Sequence, residues 1–429
     1  MSPARAILLA ALAAVPLAGP ARAASGRVAA SAHAQVRRDP RLAPGACLHC
    51  HGTRRDGRTA GSPNELCAEC HRTPAPGSSF LGMALYERSA HGGPAAVTWP
   101  GPKPPRRQRR EAGACATCHD PHGAVDGQGR IPAMTVVRGE ALCLACHGNG
   151  GRVDVAAQFR KPYRHGAASG SRAVACSECH DPHVVRPDAG SPQAPEASAR
   201  LAGVARVRPQ NGPAGAQPVY ARVDSTDPSP VLEYEVCFKC HSGATRGRRP
   251  GAADLGTLLN PANASFHPVE AQGRNRGVDF RAFTPRWSPD RLVLCSDCHG
   301  SDDPSQAGVH GSSERWLLKA RHVVGPGSQR AMPTDLCFRC HTYATYADPA
   351  GGAAWEYSRF RLHAAHASAG AACAACHESH GSPSQPALVA TGRVPGLAAY
   401  AQTPTGGSCI ATCHARTPAA SNYVAGYPR

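Results

Sequence analysis

The sequence predicts a mostly irregular, loop-rich chain with short α-helices and little β-structure, in which cross-links or ligands take the place of a large apolar core. Two observations predict this fold class. Only 5% of the 429 residues are aromatic, and the chain contains 45 Gly and 40 Pro, a composition that leans towards disorder. The chain also contains 20 Cys, which could form cross-links or hold an apolar ligand.

Residues 1–23 have the pattern of a secretory signal peptide. Arg5 supplies a positive start, residues 6–18 form a short apolar run, and Ala21 and Ala23 are the small residues of a cleavage site. No Cys precedes Cys47, so a lipid anchor on a cysteine at the cleavage point is not expected. No later apolar run reaches the roughly 18 residues of a membrane helix. We therefore expect an exported protein, in the periplasm or at the outer membrane or cell surface, with no transmembrane segment.

All 20 Cys fall into ten close pairs, and a His follows the second Cys of every pair. We number these sites 1 to 10 along the chain. The Cys pairs are Cys47 and Cys50, Cys67 and Cys70, Cys115 and Cys118, Cys143 and Cys146, Cys176 and Cys179, Cys237 and Cys240, Cys295 and Cys298, Cys337 and Cys340, Cys373 and Cys376, and Cys409 and Cys413. The adjacent histidines are His51, His71, His119, His147, His180, His241, His299, His341, His377 and His414.

Cys-x-x-Cys-His is the attachment signature of c-type haem. Two thiols one helical turn apart lie on the same face, where they can form thioether bonds to the two vinyl groups of one porphyrin. The adjacent imidazole then lies under the ring and takes one axial position on the iron. The sequence therefore predicts ten covalently bound haem c groups, with the ten adjacent histidines as proximal iron ligands.

Three other interpretations of the Cys pairs explain less. Zinc ribbons need two pairs per metal and no His after each pair. Short disulfides would suit an exported protein but do not explain the His. Redox-active dithiols of the thioredoxin type occur singly in a helical fold, not ten to a chain.

Site 10 departs from the pattern, because Cys409 and Cys413 are four positions apart instead of three. Positions four apart also share a helix face, so a looser turn could absorb the extra residue. We predict a haem here too, against the alternative of a terminal disulfide or a degenerate motif. No His follows His414, so its second axial ligand would come from upstream or from another molecule.

The remaining histidines favour two His on every iron. Twelve of the 22 His are not proximal, which slightly exceeds the ten second ligands required, and the four Met could serve only a minority of irons. His49 lies inside the first attachment loop, and we expect it to be a surface residue. The candidate second ligands are His33, His91, His122, His165, His183, His267, His310, His322, His363, His366 and His380.

Some of these candidates carry a stronger signal. His122, His183 and His380 each stand three residues after a proximal His, where the side chain points away from its own haem and can reach the iron of a neighbour. His363 and His366 share one face of a helix predicted to begin near Trp355.

The chain resembles the multihaem cytochromes c of the doubled Cys-x-x-Cys-His type, which are exported bacterial electron carriers. The ten sites carry the resemblance, above all "CATCHDPHG", "CSECHDPHV" and "CAACHESHG", and it covers roughly residues 47–414. The resemblance implies low-potential, bis-His haems packed in a chain, with little regular secondary structure.

Sites 1 to 5 and sites 6 to 10 are separated by residues 184–236, which contain neither Cys nor His. We predict a five-haem lobe over residues 24–183, a Pro, Ala and Gly-rich linker or surface insertion over 184–236, and a second lobe over 237–429. The alternation in "PVYARV" is compatible with a short strand inside the middle segment.

Local signals predict short helices. Ser62, Pro63 and Glu65 have the pattern of a capped helix start that would place site 2 on one or two turns. Ser312 or Ser313 is a candidate cap for a second helix, which would carry His322 on its last turn.

Electron transfer without substrate chemistry is the function that these features favour, in anaerobic or extracellular respiration. Redox proteins are the expected partners, with an outer-membrane porin or self-assembly as further options. The alternative is a multihaem oxidoreductase with one open haem, acting on nitrite, hydroxylamine or a sulfur oxyanion. A nucleic-acid partner is not expected, because haem propionates would largely offset the formal charge of +17.

Overall fold

A computed structural model describes residues 50, 63–74, 80–93, 114–148, 154–165, 174–245, 252–275, 277–324, 329–404, 406–413 and 421–424. Short helices and small antiparallel strand pairs are joined by long loops throughout this part of the chain. The predicted fold class is therefore confirmed. No helix within the described ranges is long and apolar enough to cross a membrane. The predicted signal sequence over residues 1–23 lies outside these ranges.

The α-helices are short, and several carry attachment sites. In chain order they are α1 (Pro63–His71), α2 (Met83–Tyr86), α3 (Glu140–His147), α4 (Ala156–Phe159), α5 (Glu233–His241), α6 (Leu255–Leu259), α7 (Cys295–Cys298), α8 (Tyr343–Tyr346) and α9 (His363–Ser368). Helix α1 begins at Pro63 with Glu65 in its first turn, as the sequence predicts. The predicted cap, Ser62, lies outside the described residues.

Sites 3, 5, 8 and 9 lie on 3₁₀ turns, which span Cys115–Thr117, Cys176–Glu178, Leu336–Arg339 and Cys373–Ala375. The other 3₁₀ segments among the described residues span Pro132–Met134, Ala199–Leu201, Phe280–Ala282, Arg315–Leu317, Gly352–Tyr357 and Pro386–Leu388. A tight turn suffices because a site needs only its two thiols and one imidazole on a common side.

The strands pair in small antiparallel groups. They are β1 (Val125–Asp126), β2 (Gly129–Arg130), β3 (Tyr163–Arg164), β4 (Arg206–Gln210), β5 (Val219–Val223), β6 (Ser265–Phe266), β7 (Gly311–Ser312), β8 (Gly381–Ser382), β9 (Leu397–Thr403), β10 (Gly406–Ala411) and β11 (Ser421–Val424). Strand pairs are β1–β2, β3–β7, β4–β5 and β6–β8, and β10 lies between β9 and β11 in a three-stranded sheet. Strand β5 confirms the prediction made from "PVYARV".

The chain divides into two compact units. The first comprises Met1–Arg72 and Ala96–Ala145, and the second comprises Thr73–Ala95 and Cys146–Arg429. The predicted lobes over residues 24–183 and 237–429 stay a prediction.

The described residues of the second unit include two small buried apolar clusters. Phe238, Leu259 and Val269 form one buried cluster. Phe338 forms another with Ala347 and Ala367. Clusters of this size bury little apolar area, in agreement with a composition poor in aromatic residues.

A buried ion pair joins the β4–β5 hairpin to α5, the helix that carries site 6. Arg206 and Glu235 have side chains only 1% and 0% exposed, and the Arg206 Nε donates to Glu235 Oε2 at 2.9 Å. The Arg208 Nε donates to the other carboxylate oxygen at 2.6 Å. Part of the segment 184–236 thus positions the helix that presents His241.

We expect Glu235→Gln to destabilise the protein by about 3 kcal/mol, because it leaves the buried Arg206 without its carboxylate partner. The cost lies at the low end for a broken buried pair because Arg206 also donates to Asp227 and Ser229. Thermal unfolding of the two proteins measures it. Asp224→Asn is the matched control, since its pair with Arg222 is 69% and 77% exposed and should contribute under about 1 kcal/mol. An equal effect of both variants would contradict the assignment.

Two predicted helices differ from the structure. The helix expected after Ser312 or Ser313 is wrong, because Trp316 and Leu317 have φ of 61° and 54°, and two consecutive left-handed residues stop a right-handed helix. His322 lies in an extended loop. The helix carrying His363 begins at His363, not near Trp355, and a separate 3₁₀ turn covers Gly352–Tyr357.

Candidate haem centres

At five sites a shared turn geometry brings the proximal His beside its two cysteines. The backbone N–H of the His donates to the carbonyl of the first Cys, which closes one turn around the motif. These bonds join His119 to Cys115 at 3.0 Å, and His180 to Cys176, His299 to Cys295, His341 to Cys337 and His377 to Cys373 at 2.9 Å each. The same turn thus presents thiols and imidazole together at five sites.

Burial favours the protonated form of three attachment thiols. Burial raises the pKa of Cys179 and of Cys298 to about 11, and that of Cys340 to about 12. Zinc binding and thiol–disulfide exchange both use the thiolate, which a raised pKa disfavours. Among the described residues, no three His, Cys, Asp or Glu side chains converge on a possible metal position. At Cys179, Cys298 and Cys340, the raised pKa disfavours the zinc and dithiol interpretations.

Neighbouring sites in the chain are also neighbours in space. In the first unit, the thiols of Cys67 and Cys115 hydrogen-bond each other, which joins sites 2 and 3. In the second unit, Cys237 contacts Cys295 and Cys337 contacts Cys373 in the same way.

Weaker electrostatic neighbours complete this order in the second unit. Burial is the main cause of the raised pKa at Cys179, Cys340 and Cys376. Thiols of the neighbouring site raise the pKa further: Cys237 and Cys240 at Cys179, Cys298 at Cys340, and Cys413 and Cys409 at Cys376. Sites 5 to 10 therefore follow one another in sequence order.

Five proximal histidines each face a second His across a nearly constant gap. In every pair one member directly follows a Cys pair and the other is a candidate second ligand. The ring centres are 6.1 Å apart for His147 and His91, 6.2 Å for His241 and His165, 6.0 Å for His180 and His310, 6.3 Å for His299 and His380, and 6.0 Å for His377 and His363.

This gap fits one metal ion between two imidazoles. A metal to imidazole nitrogen bond of about 2.0 Å and about 1.1 Å from that nitrogen to the ring centre, counted on both sides, give about 6.2 Å. The interplanar angles range from 3° for His299 and His380 to 81° for His147 and His91. Because the angles vary while the gap does not, simple ring stacking does not explain the pairs. The residues present therefore fit an iron with two axial histidines.

The outer nitrogen of many of these rings is fixed by a hydrogen bond to a backbone carbonyl. Since a carbonyl only accepts, Nδ1 must be the donor and Nε2 is left as the ligating nitrogen. On the proximal side, Nδ1 donates from His119 to Ala133 at 3.0 Å, from His180 to Arg200 at 2.8 Å, and from His299 to Trp316 and His377 to Ala387 at 2.9 Å. On the distal side, Nδ1 donates from His91 to Pro182 at 2.7 Å, from His165 to Val309 at 2.6 Å, from His267 to Ser379 at 2.5 Å and from His363 to Phe360 at 2.8 Å.

Three of the proximal carbonyl partners belong to one repeated device, a pair of consecutive non-glycine residues in left-handed conformation. The left-handed pairs are Ala133 and Met134, Trp316 and Leu317, and Ala387 and Leu388, with φ between 54° and 61°. The first carbonyl of each pair accepts from the proximal His, and the second accepts from the residue after that His at 2.7 to 2.8 Å. Each left-handed residue costs roughly 1–2 kcal/mol, so a device found three times indicates selection for orienting the imidazole.

A second repeated device holds distal histidines, and we call it the histidine clamp. In one copy, β3 pairs with β7, and His165 donates its backbone N–H to the carbonyl of His310 at 3.3 Å. In the other, β6 pairs with β8, and His267 donates to the carbonyl of His380 at 2.8 Å. Each clamp thus joins two candidate second ligands back to back.

The other candidate ligands have varied surroundings. His183 lies near the rings of Phe80 and Tyr86, with ring centres 5.1 and 6.1 Å away, and His122 lies 3.6 Å from Asp120. The Nδ1 of His366 donates to Leu362 at 2.9 Å. His322 lies beside Trp316 at 6.3 Å, and His71 is exposed at the end of α1. Cys47, His33, His49, His51 and His414 lie outside the described residues.

The left-handed pairs and the clamps are functional features that sequence reasoning missed. The three left-handed pairs occur in "IPAMT", "ERWLL" and "QPALV", which share no turn signature with Gly or Asn at the strained positions. A weak signal existed for the clamps, because "VHGS" and "SHGS" repeat around His310 and His380.

Comparison with known proteins agrees with this site chemistry. A family model described as a doubled CXXCH motif matches residues 108–152, which contain sites 3 and 4. The motif is a signature of multihaem c-type cytochromes, so the chain has covalent haem c attachment sites of the electron-transfer type. No curated protein matches the chain, and no solved structure matches it.

Proposed function

We propose that this protein is an exported decahaem c-type cytochrome that conducts electrons along closely packed bis-His haems. The observation that carries the proposal is the set of five proximal and distal His pairs with ring centres 6.0 to 6.3 Å apart. Four of the five pairs join residues more than 50 positions apart in the chain, and each gap suits one iron.

The order of the sites supports conduction along the chain. Electron tunnelling falls off exponentially with distance, so a wire needs consecutive redox centres close together. In the second unit the thiols of Cys237 and Cys295, and those of Cys337 and Cys373, are in hydrogen-bonding contact. Haems attached there would have adjoining edges, and electrons would pass from site to site in sequence order.

When bound, haem supplies a one-electron iron couple, and the protein positions and tunes it. The paired imidazoles hold both axial positions, and the Nδ1–H bonds to backbone carbonyls fix ring orientation and raise the basicity of Nε2. Two histidines on an iron leave no open position for a substrate. The five pairs thus favour an electron carrier over a reductase with an exchangeable site.

We further propose that the electron donors and acceptors are redox proteins of the cell envelope. This follows from the signal-like residues 1–23 and from the resemblance to exported carriers. An outer-membrane porin partner would co-purify as a β-barrel, whereas self-assembly would give filaments in electron microscopy.

Haem counting and spin state test the proposed function together. We expect the intact mass of the mature protein to exceed that of the polypeptide by ten haems, and the electron paramagnetic resonance spectrum of the oxidised protein to show low-spin iron. Bis-His iron is low-spin because both axial positions carry nitrogen ligands. A mass gain equal to far fewer than ten haems would contradict a decahaem protein, and a dominant high-spin signal would contradict the carrier assignment.

A further inference from the structure

The two histidine clamps are copies of one structural unit. Strand register is equivalent in both, with Arg164 opposite Gly311 in one and Phe266 opposite Gly381 in the other. Directly after these strand residues, His165 and His267 each donate Nδ1 to the residue before the facing His, at 2.6 and 2.5 Å.

The clamps are also tied in the same way to the left-handed pairs. The Ser312 Oγ donates to the carbonyl of Leu318 at 2.6 Å, and the Ser382 Oγ donates to that of Val389 at 2.8 Å. Leu318 and Val389 each directly follow a left-handed pair. The segments that follow sites 7 and 9 therefore make equivalent contacts here, although the bonded residues are 6 positions apart in one and 7 in the other.

The first clamp shows which irons a clamp serves. It belongs to the segment after site 7, and its His310 faces His180 of site 5 at 6.0 Å. Its His165 faces His241 of site 6 at 6.2 Å. Counted from site 7, one imidazole thus faces the proximal His two sites earlier, and the other faces the proximal His one site earlier.

The second clamp belongs to the segment after site 9 and follows the same rule with its first imidazole. His380 faces His299 of site 7, two sites back, at 6.3 Å. Because the two copies are equivalent, His267 should face the proximal ligand one site before site 9. That ligand is His341 of site 8.

We propose that His267 and His341 are the two axial ligands of one iron, that of the haem attached at Cys337 and Cys340. This inference rests on the proposed function, since it names the ligand set of one haem. It leaves His322 outside the ligand set of this iron.

The surroundings of His341 agree with this assignment. The ring lies between Phe283 and Tyr346, with ring centres 4.9 and 5.5 Å away, so aromatic side chains flank it. After burial, His267 is the side chain that acts most strongly on His341, as expected of a partner.

His322 has no counterpart in the repeat. It is the fifth residue after the left-handed pair Trp316 and Leu317, and the residue in that place after Ala387 and Leu388 is Arg393. If this position supplied an iron ligand, the ligand would be present in only one of the two copies of the repeat. His322 is thus the natural control for His267.

Spin state and haem count in the full-length mature holoprotein test the assignment. We expect His267→Ala to retain the haem count of the unaltered protein, while one haem becomes high-spin in optical and electron paramagnetic resonance spectra and returns to low-spin on addition of imidazole. His322→Ala should leave every haem low-spin. High-spin iron in His322→Ala, with His267→Ala unchanged, would overturn the proposal.

A second variant covers the case in which His267→Ala loses the haem or fails to fold. In His267→Met, the iron keeps six ligands, and one haem should rise in reduction potential, because a Met ligand raises the potential relative to His. Unchanged potentials for all haems in this variant would overturn the assignment. Absence of covalent haem in the unaltered protein would instead contradict the proposed function, so the two failures are distinguishable.

Discussion

Replacing Cys409 and Cys413 together with alanine should remove one haem and leave nine. The structure places Cys409 in β10, opposite Tyr400 of β9 and Ser421 of β11, and not on a helical turn as the four-residue spacing suggested. Burial is the main cause of the raised pKa of Cys376 at site 9, and both thiols nevertheless raise it further. The irregular pair thus lies next to site 9, where the tenth haem would extend the series.

Intact mass measures this change directly. Ser408→Ala is the matched control in the same strand, and it should keep every haem. Cys373→Ala with Cys376→Ala at the regular site 9 should also remove one haem, which calibrates the loss. If the altered site 10 had the same mass gain as the unaltered protein, Cys409 and Cys413 would not be attachment residues, and the wire would end at site 9.

A single methyl group at Gly381 should disturb two haems at once. An added Cβ would lie 1.8 Å from the carbonyl oxygen of Leu258 in α6 and 3.2 Å from that of Ser265 in β6, so β8 would have to move away from α6 and its pairing with β6 would be strained. This strand pair holds His267 and His380, the distal ligands of sites 8 and 7 under the proposed assignment. We expect Gly381→Ala to produce two high-spin haems, with a loss of stability on the order of 1–3 kcal/mol from overpacking.

Two further glycine variants make this test specific. Gly311→Ala should act in the same way on the other clamp, since its Cβ would lie 1.9 Å from the carbonyl oxygen of Gln158. Gly190→Ala should be neutral, because no atom lies within 4 Å of its Cβ. Spectra of Gly381→Ala that match those of Gly190→Ala would show that the clamp does not control ligation.

The attachment sites could be located from the sequence because each is a local unit of chemistry. A thiol pair and a His within five residues fold as one turn whatever surrounds them, as the bonds from His299 to Cys295 and from His377 to Cys373 show. The start of α1 could be predicted from Pro63 and Glu65 because a helix start is also a local feature.

The partner of each proximal His could not be predicted, because the distal side is assembled by long-range pairing. Strands β3, β6, β7 and β8 are two residues long, too short to leave a hydrophobic period in the sequence. The left-handed residues Trp316 and Leu317 ended a helix that composition favoured, and their strain is maintained by bonds to His299 and Gly300. Such tertiary bonds override local propensity.

The interleaving of the clamps has a consequence for the biogenesis of this protein. His165 precedes its partner His241 in the chain, whereas His310 follows its partner His180. During N-to-C translocation, a haem fitted at site 6 would meet a second ligand that had already crossed the membrane. One fitted at site 5 would wait for a later stretch to emerge. During maturation, some haems would find their second ligand already available, whereas others would lack it until later residues emerge.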